Sequence, residues 1–413
     1  MIYFVIFYFC LLLILSIRHH KWIVFKYLVG VYLFSLFISL YIIKKDVFND
    51  DQSITASLIF CIGISLLFLP YYRNTPRIQF TIDNARVVSM FKRIGFIIGS
   101  SFVLFMILGI PAITKALLVG ALDIRNDEST DFISDLSRIP RYGCYVLYYF
   151  HGISYTLLIM FSFSFVFLEK EKLLSALLFL ASLSAPYMGV LVGGRTNLVY
   201  WLLLFIMCIL LFFPYLNKKR KFQLIIPTSA ILFVLSVYFI VTTNARFEYS
   251  KDLSASESVE LYAGKSYIGF CEFFDKVNCQ NYTLRRVLPL TTSLFEGKFD
   301  LIEYRDKIEA ATGYEIGTFY TLLGDLYVDL GLIGMLLYCL LYFALVNHVL
   351  GKKKVFYIED LIILGILVQI PLHGLFYYSY WHVRSSLSIL LLLLFAFLLK
   401  QARNKKVRKY DVK

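Results

Sequence analysis

Residues 198–213 read LVYWLLLFIMCILLFF, a run that contains no charged residue, no proline and no glycine. A helix made from this run is hydrophobic all round, so it has no face suited to water. About 20 apolar residues in a helix cross about 30 Å of hydrocarbon. The run therefore predicts a transmembrane helix, and the rest of the chain is interpreted from that starting point.

Comparable apolar runs recur along the whole sequence. They are continuous, unlike the alternating pattern of the strands in a membrane β-barrel. The predicted spans are residues 1–17, 22–43, 54–71, 94–119, 144–168, 173–192, 197–215, 222–243, 318–346, 358–378 and 384–400. The sequence thus predicts an all-α polytopic membrane protein of about 11 transmembrane helices.

Composition supports the same fold class. Hydrophobic residues make up 59% of the chain and charged residues 17%, whereas a soluble domain averages about 45–50% apolar and about 25% charged residues. This excludes a soluble enzyme, a disordered chain and a fibrous repeat. The net charge of +13 is explained by the basic loops that orient membrane proteins, so we expect the lipid bilayer, and no nucleic acid, as a partner.

The distribution of Lys and Arg predicts the orientation. One set of alternate loops, which includes residues 218–221, residues 352–354 and the tail from Lys400, is rich in basic residues and poor in acidic ones. The positive-inside rule then predicts a cytoplasmic C-terminus and, with eleven spans, an external N-terminus. The predicted organisation is a transmembrane bundle of spans 1 to 8 over 1–243, an external loop domain over 244–317, spans 9 to 11 over 318–400 and a basic cytoplasmic tail over 401–413.

The external segment 244–317 has about 74 residues, which is too long for a simple connector. From Glu257 to Val277 its apolar residues recur near helical spacing. This predicts an amphipathic helix, which would lie on the outer leaflet or pack on the roof of the bundle. Cys271 and Cys279 share this segment and could pair, although their spacing is not diagnostic.

Five arginines lie on the predicted outer side, where the positive-inside rule works against them. They are Arg195, Arg246, Arg285, Arg286 and Arg384. A guanidinium group binds phosphate through two parallel N–H donors. The set therefore predicts a site for a strongly anionic group such as a lipid pyrophosphate. The alternatives are arginines that snorkel from helix ends or that pair with the acidic residues of the external segment.

Acidic and histidine side chains inside the predicted spans are candidate catalytic groups. Asp325 and Asp329 are four residues apart and so share one helix face. A carboxylate inside the membrane is costly unless it faces a cavity or an arginine. Each could act as a general base or as the counter-ion of an arginine. His373, beside Pro371 and Gly374, is another candidate base, or a polar packing contact.

Motifs for metal or nucleotide binding are missing from the sequence. The six histidines are dispersed, and neither HExxH nor DxD occurs. Walker and GxGxxG motifs do not occur either. We therefore predict no metal site and no cofactor.

The whole layout resembles the O-antigen polymerases (Wzy), the oligosaccharide repeat-unit polymerases of bacterial envelopes. The similarity lies in about eleven helices with one long outer loop late in the sequence. Its sharpest local features are Gly193–Thr196, which opens a span, Asn244–Arg246, which closes another, and GDLYVDLGLIG at 324–334. The loop between spans six and seven is short, so only Arg195 carries over from the arginine-rich loop described for some members.

This resemblance implies glycosyl transfer at the outer face of a bacterial cytoplasmic membrane. The donor would be a growing glycan on undecaprenyl pyrophosphate, and the acceptor would be the next lipid-linked repeat unit. Similar enzymes use no metal and no nucleotide sugar, and a chain-length regulator protein would be a further partner.

The resemblance also implies roles for the candidate residues. The implied pyrophosphate ligands are Arg195, Arg246 and one of Arg285 and Arg286, and Arg384 is a further candidate. Asp325 or His373 would be the base that deprotonates the attacking sugar hydroxyl.

Three other functions are compatible with the sequence. An O-antigen ligase has the same topology and lipid donor but delivers the glycan to lipid A core. A lipid-linked oligosaccharide flippase or transporter commonly has internal symmetry and helices broken at midplane, and this sequence has no visible repeat. A structural or sensory membrane subunit is the third alternative.

Overall fold

The computed structural model describes residues 1–45, 52–74, 85–119, 133–134, 136–191, 194–223, 255–277, 284–296, 320–351, 355–380 and 382–410, with isolated residues in 225–237 and 306–310. All regular secondary structure in these ranges is helical. The predicted all-helical class is therefore confirmed for the described part of the chain.

The described residues form a series of helices along the chain. In order they are α1 (Ile2–Arg18), α2 (Ile23–Lys44), α3 (Ile54–Arg73), α4 (Ala85–Leu108), α5 (Ile110–Val119), α6 (Arg138–Phe150), α7 (Gly152–Phe167), α8 (Lys172–Ser182), α9 (Ser184–Leu191), α10 (Thr196–Phe212), α11 (Ala255–Lys276), α12 (Pro289–Glu296), α13 (Thr321–Gly351), α14 (Ile358–His373) and α15 (Val383–Tyr410). A 3₁₀ turn, Phe213–Tyr215, extends α10.

Seven stretches of the described residues are long and apolar enough to cross a membrane. They are α2, α3, α4, the α8–α9 pair, α10 with its 3₁₀ extension, α13 and the first part of α15. The pair α6–α7, bent by 77°, would make an eighth if it forms one span. The chain is thus a multi-pass membrane protein.

Several predicted spans match helices, and others are interrupted. The first three agree with α1, α2 and α3 to within two residues. The predicted span 94–119 is broken at Gly109, where a Cβ would lie 2.2 Å from the Tyr187 hydroxyl. The predicted span 144–168 is bent at His151. Because 222–243 lies largely outside the described residues, the count of eleven remains a prediction.

The contacts divide the chain into two compact units. The first unit comprises residues 1–77, 256–354 and 367–386. The second unit comprises residues 78–255, 355–366 and 387–413.

In the second unit, small residues bring two helices together. A Cβ on Gly95 of α4 would lie 2.9 Å from Leu174 Cδ1, and a Cβ on Gly99 would lie 3.3 Å from Leu177 Cβ, both on α8. Close approach at small residues is a usual way to pack membrane helices, because lipid supplies no hydrophobic drive between them.

In the first unit, aromatic side chains fill the space between α1, α2 and α3. The ring of Tyr32 lies 6.4 Å from that of Phe9 and 5.0 Å from that of Phe68. Phe60 completes the cluster, with its centroid 6.2 Å from Phe9. These rings are almost completely buried, and α13 packs beside them on α3.

Helix α11 crosses the end at which α2 stops and α3 starts. Lys45, just after α2, donates to Glu260 near the beginning of α11 at 2.9 Å. Ser53, just before α3, donates to Asp275 near the other end of α11 at 2.6 Å. The helix predicted at 257–277 is therefore present, and of its two predicted placements the structure shows packing on the helix bundle.

The close contact between Gly264 of α11 and helix α2 predicts that a methyl group added at Gly264 destabilises the protein. A Cβ on Gly264 would lie 2.6–2.9 Å from atoms of α2, including a backbone nitrogen. We expect Gly264→Ala to lower the free energy of unfolding by about 1–3 kcal/mol relative to a control glycine, because such overpacking forces the backbone to shift. The control is Gly30→Ala in α2, where nothing lies within 4 Å of the added methyl. Equal stability of the two variants in a detergent unfolding titration would contradict this packing.

Candidate functional site

Helix α13 consists of two segments that meet at Gly331. This residue has φ 67° and ψ −178°, a combination that essentially only glycine adopts. Asp325 and Asp329 lie on the shorter first segment, before the break, and both are buried. The break at this glycine therefore separates a short helix, which carries the two candidate carboxylates, from the rest of α13.

The turn after α14 is hydrogen-bonded to the first turns of α13. The Thr321 N–H donates to the Phe376 carbonyl at 3.0 Å, and the Leu322 N–H donates to the Gly374 carbonyl at 2.8 Å. The Tyr378 N–H donates to Asp325 Oδ2 at 2.5 Å. The first N–H groups of a helix have no partner within it, so this turn caps α13 from outside and holds the two helix ends together.

This junction lies about halfway along α2 and α3. The Tyr32 hydroxyl of α2 donates to the Pro371 carbonyl at 2.9 Å, and a Cβ on Gly63 of α3 would lie 2.8 Å from Leu323 Cδ1. At 1.5 Å per residue, these contacts are about 18 Å and about 14 Å from the ends of α2 and α3 that α11 covers. The junction is therefore near the middle of two helices that are long and apolar enough to cross a membrane.

A buried ion pair occupies the junction. Arg286 forms a salt bridge with Asp325, and their side chains are only 5% and 1% exposed. The guanidinium group also donates to the Tyr320 hydroxyl at 3.0 Å. Asp325 is therefore the counter-ion of an arginine, which is one of the two roles that the sequence suggested for it.

Asp329 binds the same segment through its backbone. Its Oδ2 accepts the N–H of Arg286 at 2.7 Å and the N–H of Val287 at 3.0 Å. The two carboxylates on one helix face thus hold one segment at two points, the side chain of Arg286 and its main chain. Because these main-chain N–H groups are bound by a carboxylate, the irregular segment can be buried without leaving them unpaired.

Aromatic side chains connect the ion pair to α11. The ring of Tyr320 is stacked on Phe273 of α11, with centroids 4.9 Å apart. The Tyr327 hydroxyl donates to the carbonyl of Val277, just after α11, at 2.9 Å. Tyr320 was not among the predicted site residues, because 31 tyrosines make no one of them conspicuous. Its position near the start of the predicted span 318–346, which carries the two carboxylates, was the available signal.

His373 is the last residue of α14 and is completely buried. Its carbonyl accepts the N–H of Phe376 at 3.1 Å, so it begins the turn that caps α13. The structure therefore brings the two candidate bases, Asp325 and His373, to one junction. Their catalytic roles remain predictions.

Two more predicted arginines belong to the first unit. Arg285 is half-buried and directly precedes Arg286. Arg384, in the first turn of α15, lies 3.4 Å from Nε2 of His382. Arg286, also in this unit, has the salt bridge with Asp325 of α13 described above.

Arg195 belongs to the second unit, where it precedes α10. Its side chain is only 8% exposed, and its carbonyl accepts the N–H groups of Leu198 and Val199, both at 3.1 Å. The Gly194 N–H donates to the Gly189 carbonyl at 2.7 Å. This hydrogen bond joins the two sides of the short loop predicted between spans six and seven. Arg246 lies outside the described residues, so its role remains a prediction.

Other reactive groups are less suited to catalysis. Burial raises the pKa of the Cys271 thiol in α11 to about 12, so this thiol is protonated at neutral pH and is a weak nucleophile. Cys279 lies outside the described residues. Within the described ranges, no group of three His, Cys, Asp or Glu side chains is placed to hold a metal ion.

The chain was compared with protein-family models, curated proteins and solved structures, and none of the three comparisons found a match.

Proposed function

We propose that this chain is a membrane glycosyltransferase that polymerises undecaprenyl-pyrophosphate-linked oligosaccharide repeat units of O-antigen or a related surface polysaccharide. In this proposal it crosses a bacterial cytoplasmic membrane about eleven times, and its site opens to the exterior beside the segment 244–317. The observation that carries the proposal is the buried Arg286–Asp325 pair, which places an anion-binding group and a proton acceptor in direct contact.

The proposed mechanism is an exchange of anions at Arg286. The donor pyrophosphate enters the bundle, binds the guanidinium in place of Asp325 and so releases that carboxylate. The acceptor hydroxyl oxygen then forms the bond to the anomeric carbon, while the bond from that carbon to the pyrophosphate oxygen breaks. The pyrophosphate leaves with the electron pair, and Asp325 or His373 takes the hydroxyl proton. A buried cation aimed at the departing charge is the kind of preorganised group that lowers such a barrier.

One observation favours a second candidate function, a flippase or transporter for lipid-linked oligosaccharides. Transporters often bind their cargo at midplane between discontinuous helices. Here α13 is broken at Gly331, and its beginning meets the end of α14 about halfway along α2 and α3.

Deleting the gene in the source bacterium separates these functions. A polymerase deletion should abolish the ladder of surface glycan on a gel but leave a single repeat unit attached to the core. Loss of every attached repeat unit would reject the polymerase. In that case, repeat units still on their lipid at the cytoplasmic face would indicate a flippase, and external lipid-linked polymer would indicate a ligase.

Complementing the deletion with Arg195→Ala tests the predicted pyrophosphate site. We expect the single-repeat phenotype and normal amounts of protein in the membrane, because a neutral side chain cannot replace the two-pronged donor. Arg138→Ala is the control, since Arg138 is exposed in the same unit, and it should restore the full ladder. A full ladder from Arg195→Ala would remove Arg195 from the site.

A further inference from the structure

Tyr320, the residue just before α13, shares one nitrogen of Arg286 with Asp325. Arg286 Nη1 donates to the Tyr320 hydroxyl oxygen at 3.0 Å, and the same nitrogen forms the salt bridge with Asp325. A terminal nitrogen of a guanidinium group carries two N–H bonds, so it can serve both partners at once. One N–H bond can therefore stay on Tyr320 while the other exchanges the carboxylate for another anion.

The ring of Tyr320 is held in place by contacts that do not involve Asp325. The residue is 4% exposed, and its ring stacks on Phe273 of α11 with the two planes 14° apart. The ring also lies against Gly324, where a Cβ would be 2.5 Å from Tyr320 Cδ2. Packing therefore keeps the hydroxyl beside Arg286 when Asp325 is displaced.

The Tyr320 hydroxyl can donate as well as accept. Its oxygen accepts from Arg286, and among the described residues no acceptor is bonded to its own proton. A hydroxyl that accepts from a cation is polarised, which strengthens it as a donor. Tyr320 is thus able to donate to an anion that binds at Nη1.

The spacing of the two donors favours an anion with two phosphoryl groups. The partners of two N–H bonds on one planar nitrogen lie about 5 Å apart, because the bonds diverge. The oxygens of a single phosphate are too close together to span this gap without one of them touching Nη1. A diphosphate can place one phosphoryl group at Nη1 and the other at the Tyr320 hydroxyl.

We propose that Tyr320 is a second donor of the anion site and selects a lipid diphosphate over a lipid monophosphate. Arg286 binds one phosphoryl group in the place of Asp325, and the Tyr320 O–H donates to the other. This inference rests on the proposed function, in which an anion replaces Asp325 at Arg286. It adds the residue that binds the second phosphoryl group.

Two lipids that differ by one phosphoryl group test this role. The full chain is purified in mixed micelles, and its equilibrium binding of radiolabelled undecaprenyl pyrophosphate and undecaprenyl monophosphate is measured. Tyr320→Phe keeps the ring and removes the hydroxyl. We expect it to lower the ratio of the two affinities about tenfold, through weaker binding of the pyrophosphate. Tyr8→Phe, which removes a hydroxyl bonded to Ser65 in the same unit, is the control and should keep the wild-type ratio.

A second variant separates donation from a structural role. 3-Fluorotyrosine in place of Tyr320 keeps the ring and the hydroxyl but makes the O–H a stronger donor. At mildly acidic pH, where this phenol stays protonated, it should bind the pyrophosphate more tightly than the wild type does. Weaker binding would show that the hydroxyl only accepts from Arg286, and would overturn the inference.

Failure of the inference is distinguishable from failure of the proposed function. The reference is the double variant Asp325→Asn, Arg286→Gln, which lacks the guanidinium and should bind neither lipid. If it binds neither but Tyr320→Phe keeps the wild-type ratio, Tyr320 is not part of the site, although the proposed function stands. If the wild type binds neither lipid, or the double variant binds both as the wild type does, the proposed function and the inference are both wrong.

Discussion

Asp325→Ala is expected to lower the free energy of unfolding by about 3–5 kcal/mol, because it leaves the Arg286 guanidinium buried without its carboxylate. Both side chains are almost fully buried, so water cannot replace the lost partner. The substitution also removes the acceptor of the Tyr378 N–H. A denaturing-detergent titration in mixed micelles measures the effect.

Two further variants distinguish the pair from a general loss of charge. Asp325→Asn combined with Arg286→Gln removes both charges and should recover most of the stability, since neither charge of the pair is left without the other. Glu260→Ala breaks the exposed pair with Lys45 and should cost less than about 1 kcal/mol. If Asp325→Ala costs no more than Glu260→Ala, the pair is not buried in the way described.

The sequence was sufficient to predict where the apolar helices lie, but not where they are interrupted. Hydropathy over a window depends on composition, so it located α1, α2 and α3 closely. It merged the helices on either side of Gly109 and of His151, because the residues next to each break are apolar on both sides. At the Gly109 break the hydroxyl of Tyr187, a residue 78 positions away, donates to the Met106 carbonyl, and no local pattern contains that contact.

The candidate site was predictable in its residues but not in its pairing. The i, i+4 spacing of Asp325 and Asp329 showed that they share a face, and the cost of a charge in the membrane indicated an arginine partner. Several outer arginines satisfied that requirement equally. The choice of Arg286 follows from main-chain hydrogen bonds to Asp329, which side-chain chemistry alone does not predict.

For α11, too, the sequence predicted the element but not the residues that it contacts. Its apolar spacing predicted a helix, but spacing alone is compatible with a lipid surface and with a protein surface. What decides between them is a set of polar contacts at specific points, such as Lys45 with Glu260 and Ser53 with Asp275. These contacts join positions more than 200 residues apart, so only the folded chain shows them.

Gly331→Ala is the second substitution that we expect to lower the free energy of unfolding substantially. The backbone at φ 67° and ψ −178° is strained for any residue with a Cβ, at a cost of about 1–3 kcal/mol. A chain that avoids the strain must straighten α13, which would pull its first segment away from Arg286. Gly30→Ala is again the control, because it adds the same methyl to a helix with nothing within 4 Å and should stabilise the protein by up to about 1 kcal/mol.

Combining the two substitutions tests whether the break at Gly331 serves the ion pair. In the Asp325→Ala background, straightening α13 no longer separates Asp325 from Arg286, so Gly331→Ala should cost less than it does in the wild type. Coupling of this kind is measured as the non-additive part of a double-mutant cycle. Strict additivity would mean that the break and the ion pair contribute independently, and that Gly331 is required only by the backbone at its own position.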